Sequence, residues 1–196
     1  MGSIANLSDF QGRFVTPTLV LVDLHIDFPH PGDGEPDRGA LSDAIDMCRT
    51  VLGHARRRGM PVAFVRRMPP LTSLLATHAY PPWIHGIEPL RSDMIFERAL
   101  PSCYASSEFS HLAERSPHLV LAGLFAETSC ISTLIEASHR SHEFTYLTDA
   151  SCSRKRDGIS AGELHRSVCA LASLYGKVST AQSWMEKTSI KAETRR

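Results

Sequence analysis

Residues 18–28 read TLVLVDLHIDF: an unbroken apolar, β-branched run that stops at an aspartate, Asp23. A run this short, without polar alternation, fits a strand buried on both faces, and we read Leu19 to Val22 as the first strand. Working outward, similar runs recur at Pro61–Val65, Met94–Glu97, Leu119–Ala122, Phe144–Leu147 and Gly176–Ser179. Between them lie helical patterns. Ala40–Arg58 carries Leu41, Ile45, Met47, Cys48 and Leu52 at helical spacing and stops at Gly59, as a helix should. Ser107–Arg115 reads as a short helix capped by Ser106 or Ser107. Ser129–His139 places Ile131, Leu134, Ile135 and Ser138 on one face, and Ile159–Tyr175 is a further helix. Strands alternating with helices predict an α/β fold: a three-layer α/β/α, doubly wound, Rossmann-like architecture on a six-stranded, mainly parallel sheet. Gly123 is expected to close the fourth strand. The Gly- and Pro-rich stretch 29–39 and the Pro- and aromatic-rich stretch 66–90 are expected to be loops, the second with a short helix at Leu71–Thr77, and the tail from Glu186 is expected to be frayed.

The rest of the chain bounds the function. Its 196 residues predict one domain, with 1–15 and 187–196 peripheral. Lys plus Arg equals Asp plus Glu, at 21 each, so nothing calls for nucleic acid. No apolar run approaches the roughly 20 residues that span a bilayer, and no secretory leader opens the chain, so no membrane role and a cytoplasmic location are expected. The five cysteines form neither a CxxC pair nor a metal-ligand spacing, and there is no HExxH and no phosphate-binding loop, so neither a metal nor any other cofactor is implied.

In a doubly wound sheet, ligands bind beyond the carboxyl ends of the strands. Strand one delivers Asp23 there, either as a turn cap or as a paired, functional carboxylate. Strand three delivers Arg98, a solvated charge or a site residue. Strand four delivers LFAETSC, residues 124–130, whose Ser or Cys would stand at the positive end of the following helix.

These segments carry a resemblance. The stretch LVLVDLHIDF is similar to the strand-one signature of isochorismatase-like hydrolases, an apolar run ending in Asp-x-Gln-x-Asp-Phe, with Asp23 at the catalytic aspartate, Asp27 and Phe28 completing the match, and His25 in place of the glutamine. DMIFERALPSCYASSEF, residues 93–109, resembles the stretch in which the catalytic Lys follows an Asp by five residues and a Phe follows six later; those positions hold Arg98 and Tyr104. LVLAGLFAETSCISTLIEAS, residues 119–138, resembles the segment in which the nucleophilic Cys follows a Gly by six residues, with Thr four beyond; here these are Gly123, Ser129 and Thr133.

The resemblance implies a hydrolase with catalytic positions Asp23, Arg98 and Ser129, with Cys130 one residue out of register. It leaves two branches open. In the cysteine hydrolases a base takes the thiol proton, the thiolate attacks an amide and backbone N–H groups hold the oxyanion. Serine is the poorer nucleophile without a dedicated base, and Cys130 is either a packed core residue or a displaced nucleophile. In the isochorismatases, which Gly123, Ala126 and Cys130 also resemble, a protonated aspartate donates to a vinyl ether; Asp23, protonated in an apolar pocket, would play that part. Arg98 keeps the positive charge but cannot shuttle protons, would depress the pKa of a neighbouring Asp, and suits carboxylate binding. Asp23 is expected to matter for turnover and hardly for folding. The metal-binding Asp and His of the family's nicotinamidases are absent from VRRMPPLTS, residues 65–73.

The leading expectation is a metal-free hydrolase of a small, carboxylated metabolite, with substrate contacts from His25, Phe28, Arg67, Trp83, Tyr104, Ala126 and Glu127, and with Tyr80 and His85 as further candidates on the 66–86 loop. The alternatives are a cysteine amidohydrolase using Cys130 and a catalytically silent binding protein. The resemblance also implies a homodimer or homotetramer.

Overall fold

The computed structural model describes residues 16–25, 34–68 and 80–193. Asp27, Phe28 and the expected helix at 71–77 lie outside the described residues. Six strands form one sheet: β1 (Thr18–Val22), β2 (Val62–Arg67), β3 (Met94–Arg98), β4 (Leu119–Leu124), β5 (Phe144–Cys152) and β6 (Lys177–Ser179). Their order is β3-β2-β1-β4-β5-β6, and every pairing is parallel. The helices are α1 (Arg38–Arg57), α2 (Ser107–Arg115), α3 (Ile131–His139), α4 (Ala161–Ala172) and α5 (Ala181–Glu193).

Strand alternation builds two cores, one on each face. Leu19 and Leu21 of β1 join the cluster that holds Cys48, Val51 and Leu52 of α1 and Trp184 of α5. Val20 and Val22 join the opposite cluster, with Phe109 and Leu112 of α2, Leu134 of α3 and Val168 of α4. Successive side chains on a strand point to opposite faces, so an all-apolar run is what a sheet covered on both sides requires. Asp37 caps α1 by accepting from the Ala40 N–H at 2.9 Å, Ser106 caps α2, and Ser160 with Glu163 forms a capping box on α4. Among the described residues no helix is long and apolar enough to cross a membrane.

Four expectations need correction. Gly123 does not close β4, which continues to Leu124; at φ +125° it lies inside the strand with its Cα pressed on β1, where a Cβ would fall 2.2 Å from the Val22 carbonyl oxygen. β5 runs on to Cys152 instead of stopping at Leu147, because its register on β4 slips between Leu121 and Gly123 and lets the strand resume. The helix after β4 begins not at Ser129 but in a π-turn over Ala126–Cys130 that leads into α3. Of the tail from Glu186, the described part, up to Glu193, belongs to α5: Asp149 accepts from the Ala181 N–H at 2.7 Å, while Trp184 packs edge-on to His54 of α1, with ring centroids 5.3 Å apart.

Candidate active site

The sheet order reverses between β1 and β4, and the site lies at the carboxyl ends of these two strands. Asp23 comes directly after β1 with φ +53°, a left-handed conformation that a non-glycine residue adopts at some cost and that recurs where function demands it. Its backbone N–H continues the ladder to the Val65 carbonyl at 2.9 Å, so the turn swings only the side chain and the residues beyond Asp23 out of the sheet.

Arg98, the last residue of β3, is 1% exposed, and its guanidinium reaches past the end of β2 to the Asp23 carboxylate. Nη2 donates to Asp23 Oδ2 and to Ser129 Oγ at 2.7 Å, while Nη1 donates to the Leu100 carbonyl at 2.7 Å. Ser129 Oγ in turn donates to Asp23 Oδ2 at 2.6 Å, and the Arg67 backbone N–H holds Oδ1 at 3.1 Å. Asp23, Arg98 and Ser129 therefore close a hydrogen-bonded triangle. Burial pushes the Asp23 carboxyl up, but His25, Arg98 and Ser129 outweigh it and hold the carboxyl below the usual carboxylate range. A carboxyl held low in this way favours the ionised form over the protonated acid that the vinyl-ether route needs. It is also embedded in a network of buried partners, which the reading of Asp23 as hardly needed for folding did not foresee.

The π-turn decides between Ser129 and Cys130. Ser129 faces the triangle. Cys130 is fully buried in the core with its Sγ 3.7 Å from the Gly123 carbonyl, and burial pushes its thiol well above the usual range. The backbone N–H groups of Thr128, Ser129 and Cys130 all point at the Phe125 carbonyl, at 3.2, 3.0 and 3.4 Å, so these donors are engaged within the turn. Thr133 ties the turn down: its Oγ1 donates to the Ser129 carbonyl at 2.7 Å and accepts from the Cys103 N–H at 3.0 Å.

A pocket of about 670 Å³ opens above the triangle. Of the expected contacts that fall among the described residues, His25 and Arg67 line it, and the others do not. Tyr104 is 5% exposed and packs edge-on to Phe109, with its hydroxyl 2.7 Å from His142 Nδ1. Ala126 is a core residue, and Glu127 is turned inward to pair with Arg154 at 3.2 Å. Trp83 backs the site from behind, packed on Phe64 and His25. Tyr80 donates to Glu97, and the His85 side chain is fully exposed.

Sequence reasoning missed two wall-forming groups. Arg154 and Arg156, beyond β5, reach the pocket because β5 continues past its slip; Arg154 lies over the Phe125 ring at 4.2 Å. Beside them, Glu35 and Pro36 lie in the wall because the chain there pairs antiparallel with 154–156, through a Pro36–Arg154 bridge and the Lys155 N–H on the Glu35 carbonyl at 2.9 Å. The basic stretch SRKR, residues 153–156, soon after the short run Phe144–Leu147 is the signal in the sequence that points to this wall.

The fold and the site define a parallel-sheet α/β protein with a pocket built around an aspartate at a strand end, and comparison with known proteins gives it a family. Residues 17–182 match the model of the isochorismatase domain, so the chain belongs to the isochorismatase family of hydrolases. Among solved structures it resembles an isochorismatase from Pseudomonas putida KT2440 (TM-score 0.73, 22% identity, 85% of this chain and 89% of that one). It also resembles a cysteine hydrolase from Pseudomonas syringae pv. phaseolicola (TM-score 0.70, 18% identity, 87% and 91%) and the N-carbamoylsarcosine amidase of Thermoplasma acidophilum (TM-score 0.62, 21% identity, 85% and 97%). The comparison with curated proteins finds no match.

Proposed function

We propose that this chain hydrolyses a C–N bond in a small, carboxylated metabolite without a metal ion, with Asp23 as the base and Ser129 as the attacking oxygen. The observation that carries the reading is the 2.6 Å bond from Ser129 Oγ to Asp23 Oδ2 beside the buried Arg98. A hydroxyl is a weak nucleophile unless a base takes its proton, and an ionised carboxylate at hydrogen-bond distance is such a base. Asp23 Oδ2 receives the proton as Oγ bonds to the substrate carbonyl carbon. The C=O π electrons move onto the substrate carbonyl oxygen, and the Arg98 guanidinium, with Nη2 2.7 Å from Oγ, is the adjacent cation that stabilises this oxyanion. Asp23 then passes the proton to the departing nitrogen as the C–N bond breaks; water, deprotonated by the same carboxylate, attacks the acyl carbon, and Asp23 returns that proton to Ser129 Oγ as the C–Oγ bond breaks and the acid leaves.

Three further observations support this choice. An ionised Asp23 favours base catalysis over protonation of a vinyl ether. Cys130 is packed away from the pocket, which weighs against a thiol mechanism. Arg67, Arg154 and Arg156 make the pocket wall electropositive, which favours a carboxylated substrate. The likeness to an N-carbamoylsarcosine amidase points toward the same bond type.

Ser129→Ala is the cleanest test, because it removes the hydroxyl and leaves the Asp23–Arg98 pair in place. Screened on small carboxylated amides and N-carbamoyl acids, the variant should lose activity by roughly 100-fold or more relative to wild type, and Asp23→Asn should lose as much per folded molecule. A fully active Ser129→Ala enzyme would remove the serine from the mechanism. Arg98→Lys tests the cation: lowered kcat with KM preserved is the result expected if the guanidinium stabilises the charge of the transition state, whereas weakened substrate binding with kcat preserved would mean that it grips a carboxylate instead, and increased kcat that position 98 moves protons.

A further inference from the structure

His25 is the buried polar side chain at the pocket to which the proposed mechanism gives no part. It is 5% exposed, and neither ring nitrogen has a hydrogen-bond partner among the described residues. Buried polar atoms are nearly always satisfied, so an imidazole with both nitrogens open is a group held for a purpose. Its placement is constrained on two sides. The backbone bridges antiparallel to Trp83, supported by the Ile84 N–H on the Leu24 carbonyl at 3.1 Å, and the ring meets the Trp83 ring edge-on with centroids 6.3 Å apart. So held, Nε2 faces Asp23 Oδ1 at 3.7 Å, on the side of the carboxylate away from Ser129.

We propose that His25 is a positioning residue that acts through Asp23: by presenting an Nε2–H to Oδ1, it helps to keep the carboxylate ionised and turned so that Oδ2 serves Ser129. The proposal rests on Asp23 being the base of the site. At 3.7 Å the contact is electrostatic rather than a hydrogen bond, and a carboxylate, which can only accept, favours the tautomer whose Nε2–H points at Oδ1. The two oxygens of Asp23 are then served separately: Oδ2 by Arg98 and Ser129, Oδ1 by the Arg67 amide and His25. The division matters because Arg98 is fixed in charge and also shared with Ser129 and the Leu100 carbonyl, so it cannot alone set the orientation of the carboxylate. The lowered proton affinity of Asp23, to which His25 contributes, agrees with this arrangement. The other charged or titratable groups around Asp23 are Arg98 from β3, Arg67 at the end of β2, the buried thiols of Cys103 and Cys130, and, across the pocket, Glu35, Arg154 and Arg156.

The test reads Asp23 directly and needs no substrate. The full chain is labelled with carboxyl-¹³C aspartate, the Asp23 signal is assigned by its loss in Asp23→Asn, and its titration is followed by NMR in wild type, His25→Phe and His25→Gln. His25→Phe keeps an aromatic ring against Trp83 and removes both nitrogens; His25→Leu replaces it should the phenyl ring fail to pack. The Asp23 midpoint is expected to move to higher pH in the apolar variants and to return to the wild-type position in His25→Gln, whose amide N–H can still donate. An apolar variant that folds and titrates like wild type would overturn the proposal, as would a His25→Gln variant that titrates like the apolar ones. A fully active Ser129→Ala enzyme alongside the expected titration would remove the serine mechanism and leave the His25–Asp23 link standing.

Discussion

The two ends of the β1–β4 strand pair are built to opposite specifications. At the amino end, Thr18 pairs with Leu119, the Thr18 N–H reaches the His118 carbonyl at 3.0 Å, and the Thr18 hydroxyl lies 3.0 Å from that of Ser116. Thr18 and Ser116 there are small, uncharged and hydrogen-bonded. At the carboxyl end, Asp23 and Gly123 both take positive φ, the turn after β4 is a π-turn, and an arginine is buried beside a carboxylate. The same two strands are regular where they hold the sheet together and irregular where they hold the site. Departures from local rules concentrate where function is carried, and the regular end supplies the stability that tolerates them.

That contrast breaks most visibly at Gly123. A Cβ there meets the Val22 carbonyl oxygen, nitrogen and carbon at 2.2, 2.6 and 2.9 Å, all backbone atoms that cannot turn aside, and φ +125° is itself unfavourable for any other residue. Gly123→Ala should cost about 4 kcal/mol or more and lower Tm by on the order of 10 °C in a thermal scan. A matched alanine-to-valine change at Ala113, on the helical side of the opposite end, provides the reference for ordinary overpacking, about 1–3 kcal/mol. Equal losses at both positions would mean that the carboxyl end is no more constrained than the rest.

Next in size is Arg98→Met, which keeps the bulk and leaves Asp23 buried beside no guanidinium. Breaking a buried pair from one side costs about 3–5 kcal/mol. Its pH dependence carries the sign. In wild type the Asp23 carboxyl is held below its ordinary value, so its contribution is present above the unfolded carboxylate value, near about 3.9, and is lost as the pH falls through the folded value. In the variant burial acts without Arg98 to oppose it, so protonation relieves the strain instead. Urea melts should therefore show a gap between the two proteins that narrows as the pH falls from neutral; a gap that stays constant would mean that packing, not charge, accounts for the loss.

The neighbouring pair Ser129 and Cys130 sharpens the same comparison at the scale of one residue. Iodoacetamide should leave Cys130 unmodified in the native protein, since its thiol is buried and held protonated. Ser129→Cys should be alkylated at position 129, where the new sulfur stands at the pocket beside Arg98. Peptide mass mapping distinguishes the two sites, and modification of Cys130 at a comparable rate would show that the turn does not separate them.

The sheet was legible in the sequence because each strand is a short apolar run and the helices between them carry ordinary caps and spacing. Asp23 and Arg98 were legible as the residues that directly follow the first and third runs, and Ser129 through the resemblance of the segment after strand four. What escaped was set by contacts distant in sequence. The slip in β5 depends on how β4 packs beside it, and it alone brings Arg154 and Arg156 to the pocket. Tyr104 looked like a substrate contact because it stands at a family position, yet its ring completes the core beside Phe109. The helix α5 was hidden because its sequence is polar nearly throughout; what anchors it is Trp184 against α1 and a cap from Asp149, a residue of the same unforeseen stretch of β5.

That anchoring yields the smallest of the expected effects. His54 of α1 is buried, its ring edge meets Trp184, and its Nε2 lies 2.8 Å from Thr188 Oγ1 on α5. Thr188 Oγ1 also lies 2.9 Å from the Trp184 carbonyl, to which it can only donate, so its lone pair is left to accept from an Nε2–H. Burial, reinforced by Arg58 and Arg57, lowers the proton affinity of the imidazole, and the neutral ring is the form that suits this seam. A lowered folded-state value means that the unfolded chain binds the proton more readily, so the contribution is complete above the ordinary histidine value of about 6.5 and is lost as the pH falls through the folded value. Thr188→Val should cost about 1 kcal/mol at pH 8, the usual worth of one hydrogen bond, and leave the Asp23 site untouched. In hydrogen exchange the amides of α5 should lose protection between pH 7 and pH 5 while those of β1 and β4 keep theirs. Parallel loss in α5 and the central strands would mean that the C-terminal helix unfolds only with the sheet, and that His54 does not govern its docking.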